Sequence, residues 1–209
     1  MSAAKVFGVG FQKTGTSSLD AAFQILGYRT DKGVFINTPG RKKSLRIAPP
    51  LTNDKVLERV LPIAREKDAF SDNPWPLLYR ELDALFPDSK FVLTVRTPQS
   101  WLASLVRHFG SEESDMLEWI YGCRSVRGNE ARCLEVYEAH NAAVRAHFAS
   151  RPGALLELDI EKRPRWNDLC AFLGKSIPKQ PFPRANTAVE RERKHAALWR
   201  TVKKAIRGR

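Results

Sequence analysis

The feature that most constrains this chain lies near its start. Residues 5–10 (KVFGVG) form a short apolar run ending in glycine, the pattern of a buried strand. A turn rich in glycine and hydroxyl groups follows. Then Leu19, Ala22, Phe23 and Leu26 recur at helical spacing over residues 18–26, and Gly27 ends the helix. A strand that runs straight into a helix must recross to pair again, which favours parallel pairing. The alternation continues down the chain. Residues 68–71, 90–95 (KFVLTV) and 154–158 read as strands. Residues 52–66, a segment opening at Asn73-Pro74-Trp75-Pro76, residues 98–109, 130–150 and 165–173 read as helices. Residues 31–51, with glycines, prolines and five basic residues, read as a long loop. Short apolar strands alternating with helices predict an α/β domain whose mostly parallel central sheet is flanked by helices on both faces.

Length and charge narrow the class. At 209 residues one domain is expected over 1–209, with residues 190–209 as a basic helical appendage. No window is long and apolar enough to span a membrane. Residues 1–7 hold one lysine and no long apolar run, so no secretory leader and a cytoplasmic location are expected. The formal charge is +12, from 35 Lys plus Arg against 23 Asp plus Glu, which points to anionic partners. Residues 190–209 carry eight basic and two acidic side chains. Trp199, Val202 and Ile206 share one face there, a pattern that fits docking on the domain or peripheral contact with an acidic surface. Three cysteines (Cys123, Cys133, Cys170) without a CxxC pair, and histidines without ligand spacing, point to reduced thiols and no metal site.

The turn itself, residues 10–18 (GFQKTGTSS), carries the first chemistry. Glycines let backbone N–H groups turn inward, a helix N-terminus brings partial positive charge, hydroxyls add donors, and Lys13 adds a full charge. The bland alternative is a plain strand-to-helix turn with capping residues. Gly10 and Gly15 satisfy the GxxxxG half of a nucleotide-triphosphate loop, but Thr16-Ser17 stand where lysine and a hydroxyl residue should follow. The strand KFVLTV ends in Arg96 rather than in the carboxylate that a metal-bound nucleotide wants. Arg96 suits bidentate contact with a phosphate, and Ser104 sits on the helix just beyond it. Two anion sites at two strand ends suit a ligand with two separated phosphates.

The segment FQKTGTSSL resembles the 5′-phosphosulfate loop of the sulfotransferase family, whose donor is 3′-phosphoadenosine 5′-phosphosulfate (PAPS). VLTVRTPQSWLASL is similar to that family's 3′-phosphate motif, with arginine and serine eight apart. LLELDI…WNDLCAFLGKSIPKQPFPRAN is similar to the C-terminal part of its short soluble members. The resemblance spans residues 5 to about 187 and implies a P-loop-like three-layer fold. It also implies sulfuryl transfer to a hydroxyl or amine by in-line displacement without a metal, with adenosine 3′,5′-bisphosphate as second product. It implies that Lys13, Thr14, Gly15, Thr16, Ser17 and Ser18 hold the 5′-phosphosulfate, with Lys13 also countering charge on the leaving oxygen. Arg96 and Ser104 would hold the 3′-phosphate, and Arg184 and Asn186 would contact the nucleotide. Thr97 departs from the aspartate that many members carry after the arginine.

Cytosolic members use a histidine base at the end of the preceding strand; here that place reads Phe70-Ser71-Asp72-Asn73-Pro74. Asp72 is therefore the candidate general base, the alternative being that Asp72 or Asn73 merely caps the helix at Pro74. Trp75, Tyr79 and Phe109 are candidates for an acceptor pocket or for the core. A small-molecule or glycan acceptor is expected and nucleic acid is not. Two other classes remain open at this level: a P-loop phosphotransferase, and a non-catalytic nucleotide or nucleic-acid binding module suggested by the charge.

Overall fold

The structure, a computed structural model, describes residues 4–38, 44–159, 162 and 166–185. In chain order the elements are β1 (Val6–Gly8), α1 (Thr16–Ile25), β2 (Thr30–Asp31), β3 (Phe35–Ile36), β4 (Ser44–Leu45), α2 (Asn53–Glu66) and β5 (Ala69–Phe70). A 3₁₀ turn (Trp75–Leu78) leads into α3 (Tyr79–Leu85), followed by β6 (Lys90–Val95), α4 (Pro98–Phe109), α5 (Asp115–Tyr121), α6 (Glu130–Phe148), β7 (Leu155–Asp159) and α7 (Trp166–Leu173). Five strands pair in the order β2-β5-β1-β6-β7, and every pairing is parallel. The α/β expectation holds.

Register explains why β6 is apolar throughout. Phe7 of β1 lies opposite Phe70 and Phe91, and the three rings stack at 4.7 and 5.6 Å on one face. That face packs against α2, α3 and α6 through Val56, Val60, Leu82, Val144 and Phe148. The opposite face, with Val6, Ala69, Val92 and Leu158, is covered by Leu19, Ala22 and Phe23 of α1 and by Trp166 and Leu169 of α7. Side chains alternate between two buried faces, so a central strand needs apolar residues at both parities. A third cluster, built from α4, α5 and α6 around Trp101, Tyr121 and Tyr137, takes in Phe11 and so seats the turn that leaves β1.

Several sequence expectations shift. Residues 31–51 are not simply loop: β3 and β4 pair in parallel there as a separate two-stranded sheet. Two-residue strands carry too little pattern to register as such. The helix expected from Asn73-Pro74 opens instead as the 3₁₀ turn and becomes α-helical at Tyr79. Trp75 and Tyr79 are core residues, 0% and 3% exposed, whereas Phe109 does reach the cleft described below. Helix α5, capped by Ser114, whose hydroxyl accepts from the Leu117 N–H, adds an element where the spacing shows none. The basic C-terminal helix expected over 190–206 lies outside the described residues.

His140 joins the core to the end of β1. Its Nε2–H donates to the Val9 carbonyl at 2.8 Å, and its ring stacks on Phe11 at 4.1 Å. Burial lowers its pKa to about 4, only partly offset by the bond to Val9. The unfolded chain therefore takes up a proton near pH 6.5 that the folded chain refuses until about pH 4, and stability falls as pH drops through that window. We expect His140→Gln, which retains a donor but does not titrate, to lose about 2 kcal/mol less stability than the parent between pH 7 and pH 5 in urea unfolding.

Candidate active site

A cleft of about 1130 Å³ opens beyond the C-terminal ends of the parallel strands. Its floor is the turn after β1, and that turn is pinned to β6. Gly10 passes so close to the neighbouring strand that a Cβ there would stand 2.2 Å from Thr94 Oγ1 and 2.3 Å from the Thr94 carbonyl. Thr14, 0% exposed, donates its hydroxyl to the Phe11 carbonyl at 2.5 Å and meets Thr94 Oγ1 at 2.6 Å. Among the loop residues singled out by the sequence, Thr14 thus faces the core rather than the cleft. Lys13, Gly15, Thr16, Ser17 and Ser18 all line the cleft.

Backbone geometry shapes this floor for an anion. Lys13 and Gly15 both adopt left-handed conformations, with φ of 73° and 94°. Gly15 is the N-cap of α1 and offers no side-chain oxygen to the helix, and no acidic residue lies in the first turn. The Ser18 and Leu19 N–H groups bond the Gly15 carbonyl, and the positive end of the helix dipole lies at the cleft-lining residues Gly15, Thr16 and Ser17 with no carboxylate in the first turn.

Arg96 follows β6 and is fixed from two sides. The Tyr137 hydroxyl accepts from the Arg96 N–H and donates to its carbonyl, both at 3.0 Å, and the Tyr137 ring stacks on Trp101 at 4.1 Å. The guanidinium donates to Ser100 Oγ at 2.5 Å and to the Lys13 carbonyl at 3.3 Å. Lys13 and Arg96 therefore stand in one cleft, bridged by a hydrogen bond. Ser104, one helical turn beyond Ser100, lines it as well. The proline-rich segment returns to the same place: the Ala185 N–H donates to Ser18 Oγ at 3.0 Å, which sets Arg184 at the cleft. Asn186 lies outside the described residues.

Asp72 lines the cleft from the end of β5, in a left-handed conformation. Its Oδ2 accepts from Thr16 Oγ1 at 2.9 Å and its Oδ1 from the Asn73 N–H at 2.9 Å. The 3₁₀ turn has no side-chain cap; it is the Asp72 carbonyl that accepts from the Trp75 N–H. The capping reading of the carboxylate thus does not describe the geometry. Behind Asp72 runs a relay that the sequence did not disclose. Asn73 Nδ2 donates to Gln12 Oε1 at 2.9 Å, Gln12 Nε2 donates to the Tyr121 hydroxyl at 2.6 Å, and Trp101 Nε1 donates to the Gln12 carbonyl at 3.0 Å. Burial raises the Tyr121 pKa well above the ordinary phenol range, so the group stays protonated. Lys32, one of the five basic residues of the segment 31–51, is a further cation lining the cleft.

The model of the sulfotransferase domain matches residues 5–126 and 107–191, most of the chain. The chain belongs to the sulfotransferase family. This sulfotransferase is 27% identical over 237 residues to the Ava biosynthesis cluster protein M of Aspergillus versicolor, covering 95% of this chain and 88% of that protein. Its fold is similar to the crystal structure of a sulfotransferase from Alicyclobacillus acidocaldarius, with TM-score 0.51 and 18% identity over 94% of this chain and 91% of the other. Family membership makes it a transferase of sulfuryl groups. Among the described residues, no three His, Cys, Asp or Glu side chains gather as a metal-ligand group.

The contact between Gly10 and β6 yields a test of the floor. Gly10→Ala forces a methyl group against Thr94 backbone and side chain, so it should destabilise the sulfotransferase by about 2 kcal/mol or more. Urea midpoints of the two proteins check this.

Proposed function

We propose that this sulfotransferase moves the sulfuryl group of PAPS to a hydroxyl or amine by in-line displacement and releases adenosine 3′,5′-bisphosphate. One observation carries the reading: Lys13 and Arg96, at the ends of adjacent strands, line a single cleft and are linked through the Lys13 carbonyl. Two cationic centres joined by one cleft match a nucleotide with phosphates at both the 3′ and the 5′ position. PAPS, when bound, supplies the activated sulfuryl group.

The chain's own residues have separable roles. The first turn of α1, with Ser17, Ser18 and the Lys13 ammonium, binds the 5′ end, and Lys13 offsets negative charge on the leaving phosphate oxygen. Arg96 and Ser104 bind the 3′-phosphate, and Arg184 adds charge from the returning segment. Thr16 acts through Asp72, to which its hydroxyl donates. Thr14 contributes through the loop's shape, since its hydroxyl is spent inside the fold. Asp72 accepts the acceptor's proton as the acceptor oxygen or nitrogen forms its bond to sulfur and the bond between sulfur and the phosphate oxygen breaks. The proton then passes to water. Transition-state charge accumulates at the leaving oxygen, where the cations are, while the carboxylate stands at the entering atom. The relative from Aspergillus versicolor is named for a biosynthesis cluster, and a biosynthetic setting fits a small-molecule acceptor.

Two measurements test this. Adenosine 3′,5′-bisphosphate should raise Tm more than 5′-AMP or Mg–ATP, and Arg96→Ala should weaken its binding by about 10- to 100-fold. Stronger stabilisation by Mg–ATP, removed by a chelator, would instead support phosphotransfer. In Asp72→Asn, turnover should fall by a factor of about 10² or more while adenosine 3′,5′-bisphosphate binding stays within two-fold. Near-normal turnover with intact nucleotide binding removes Asp72 as the base.

A further inference from the structure

The turn after β1 carries the donor-side lysine, and one of its residues also reaches the segment that carries the proposed base. Residues 11–14 close a four-residue turn, in which the Thr14 N–H donates to the Phe11 carbonyl at 3.2 Å. Gln12 and Lys13 are its two central residues. Lys13 takes the positive φ, 73°, that the third position of a type II turn requires. Both central carbonyls are held. Trp101 Nε1 donates to the Gln12 carbonyl at 3.0 Å, and the Arg96 guanidinium donates to the Lys13 carbonyl at 3.3 Å. Gln12 lines the cleft but is only 4% exposed, and both ends of its amide are engaged inside the protein. Its Oε1 accepts from Asn73 Nδ2 at 2.9 Å, and its Nε2 donates to the Tyr121 hydroxyl at 2.6 Å.

Asn73 passes that hold on to Asp72. Its N–H donates to Asp72 Oδ1 at 2.9 Å, and its carbonyl accepts from the Val34 N–H at 3.1 Å. Gly33 passes so close that a Cβ there would stand 2.2 Å from the Asn73 carbonyl oxygen. The other carboxylate oxygen of Asp72, Oδ2, accepts from Thr16, four residues beyond Gln12. Each carboxylate oxygen is therefore held by a group that residues 12–16 position: Oδ2 by Thr16 directly, Oδ1 by Asn73, which Gln12 holds. In-line displacement needs the entering atom, the sulfur and the leaving oxygen on one line, and a 1 Å misplacement in such an arrangement costs about 10²-fold in rate. Lys13 serves the leaving oxygen and Asp72 the entering atom. The spacing between those two side chains is thus a quantity the fold must fix.

We propose that Gln12 is a positioning residue of the sulfuryl transfer: its main chain carries Lys13, and its side chain sets Asp72 through Asn73, so that one residue fixes the spacing between the leaving-group cation and the base. Tyr121 completes the arrangement. Without the phenol oxygen, the buried Nε2–H group loses its acceptor and only one end of the amide stays held. The proposal rests on the sulfotransfer reading above, with Asp72 as base. It gives Gln12 no contact with the nucleotide. A Gln12 variant should therefore lose rate without losing donor affinity, unlike a variant of Arg96.

The test uses the full chain and three variants. Gln12→Met keeps an unbranched side chain of similar length and removes both amide bonds. Tyr121→Phe removes one oxygen and retains the ring contacts with Phe11 and Trp101. The third variant carries both changes. Hydrogen exchange followed by NMR compares the Asn73 N–H, bonded to Asp72 Oδ1, with the Ser71 N–H, bonded to the Asp31 carbonyl at 3.0 Å in the same stretch of chain. We expect Asn73 to exchange about ten-fold faster or more in both single variants, with Ser71 within about two-fold of the parent. The kcat for sulfuryl transfer from PAPS to p-nitrophenol, or to water if p-nitrophenol is not taken, should fall about ten-fold in Gln12→Met and about three-fold in Tyr121→Phe. Calorimetry should show adenosine 3′,5′-bisphosphate affinity within about two-fold throughout. The double variant should be no slower than Gln12→Met alone, because the two groups act in series. Full turnover in Gln12→Met, equal acceleration of exchange at Ser71 and Asn73, turnover and bisphosphate affinity lost together, or multiplied effects in the double variant overturns the positioning role. If Gln12→Met fails to fold, Tyr121→Phe decides by the same exchange, turnover and affinity measurements. A parent protein that does not bind the bisphosphate sinks the donor reading instead, and exchange at Asn73 still decides whether Gln12 holds Asp72.

Discussion

The contact on which the site depends is the close passage of Gly10 against Thr94. No side chain larger than hydrogen fits between the two strands at that point. The turn after β1 is therefore drawn against the end of β6, and Thr14 locks it there through a hydroxyl pair spanning eighty residues of sequence. Because the turn lies against β6, the residue that follows β6 lies against the turn. Arg96 can then donate to the Lys13 carbonyl, and two positively charged side chains share one cleft. Their mutual repulsion is opposed by the rigid seating of each: Lys13 on a left-handed loop, Arg96 on the Tyr137–Trp101 stack. For the anionic donor proposed above, such a site would be preorganised, with little reorganisation left to the moment of binding.

The rest of the molecule supports that seating in layers. The rings of Phe7, Phe70 and Phe91 hold the three central strands in register on one face of the sheet. The cluster under α4, α5 and α6 takes Phe11 and supports Gln12, so the same packing that closes the core orients the cleft's polar relay. His140, between Phe11 and the Val9 carbonyl, connects the two systems. Stability and site geometry are coupled here because one strand end belongs to both.

Much of the fold was legible because strong patterns are local. The run KFVLTV, the glycine-rich turn and the proline at the start of α4 each state their structure within a few residues. The loop residues and Arg96 were legible for the same reason, since their chemistry sits in contiguous motifs. What escaped was either too short or too distant. Strands β3 and β4 have two residues each, and α5 has only seven. The chain from Gln12 to Asn73 and Tyr121 joins three separate segments, and nothing local marks any of the three as a partner of the others. Two readings of Asp72 stood side by side in the sequence, because Asp before Asn-Pro serves capping and chemistry alike. The structure bears on the capping reading alone: the 3₁₀ turn has no side-chain cap, and the Asp72 carboxylate takes the Thr16 hydroxyl instead. Thr14 shows the converse: a residue inside a recognisable motif whose side chain serves the interior.

The strand order has a consequence for how the molecule comes into being. β1 is the first strand in the chain and the middle one in the sheet, paired to β5 on one side and β6 on the other. During synthesis it leaves the ribosome without either neighbour and waits with its apolar faces bare until both have followed. The anion cradle at its end therefore cannot form on a nascent fragment lacking β6. Arg96 meets the Lys13 carbonyl only once β6 has paired with β1, so the nucleotide site proposed above would be completed in the same step that closes the sheet centre.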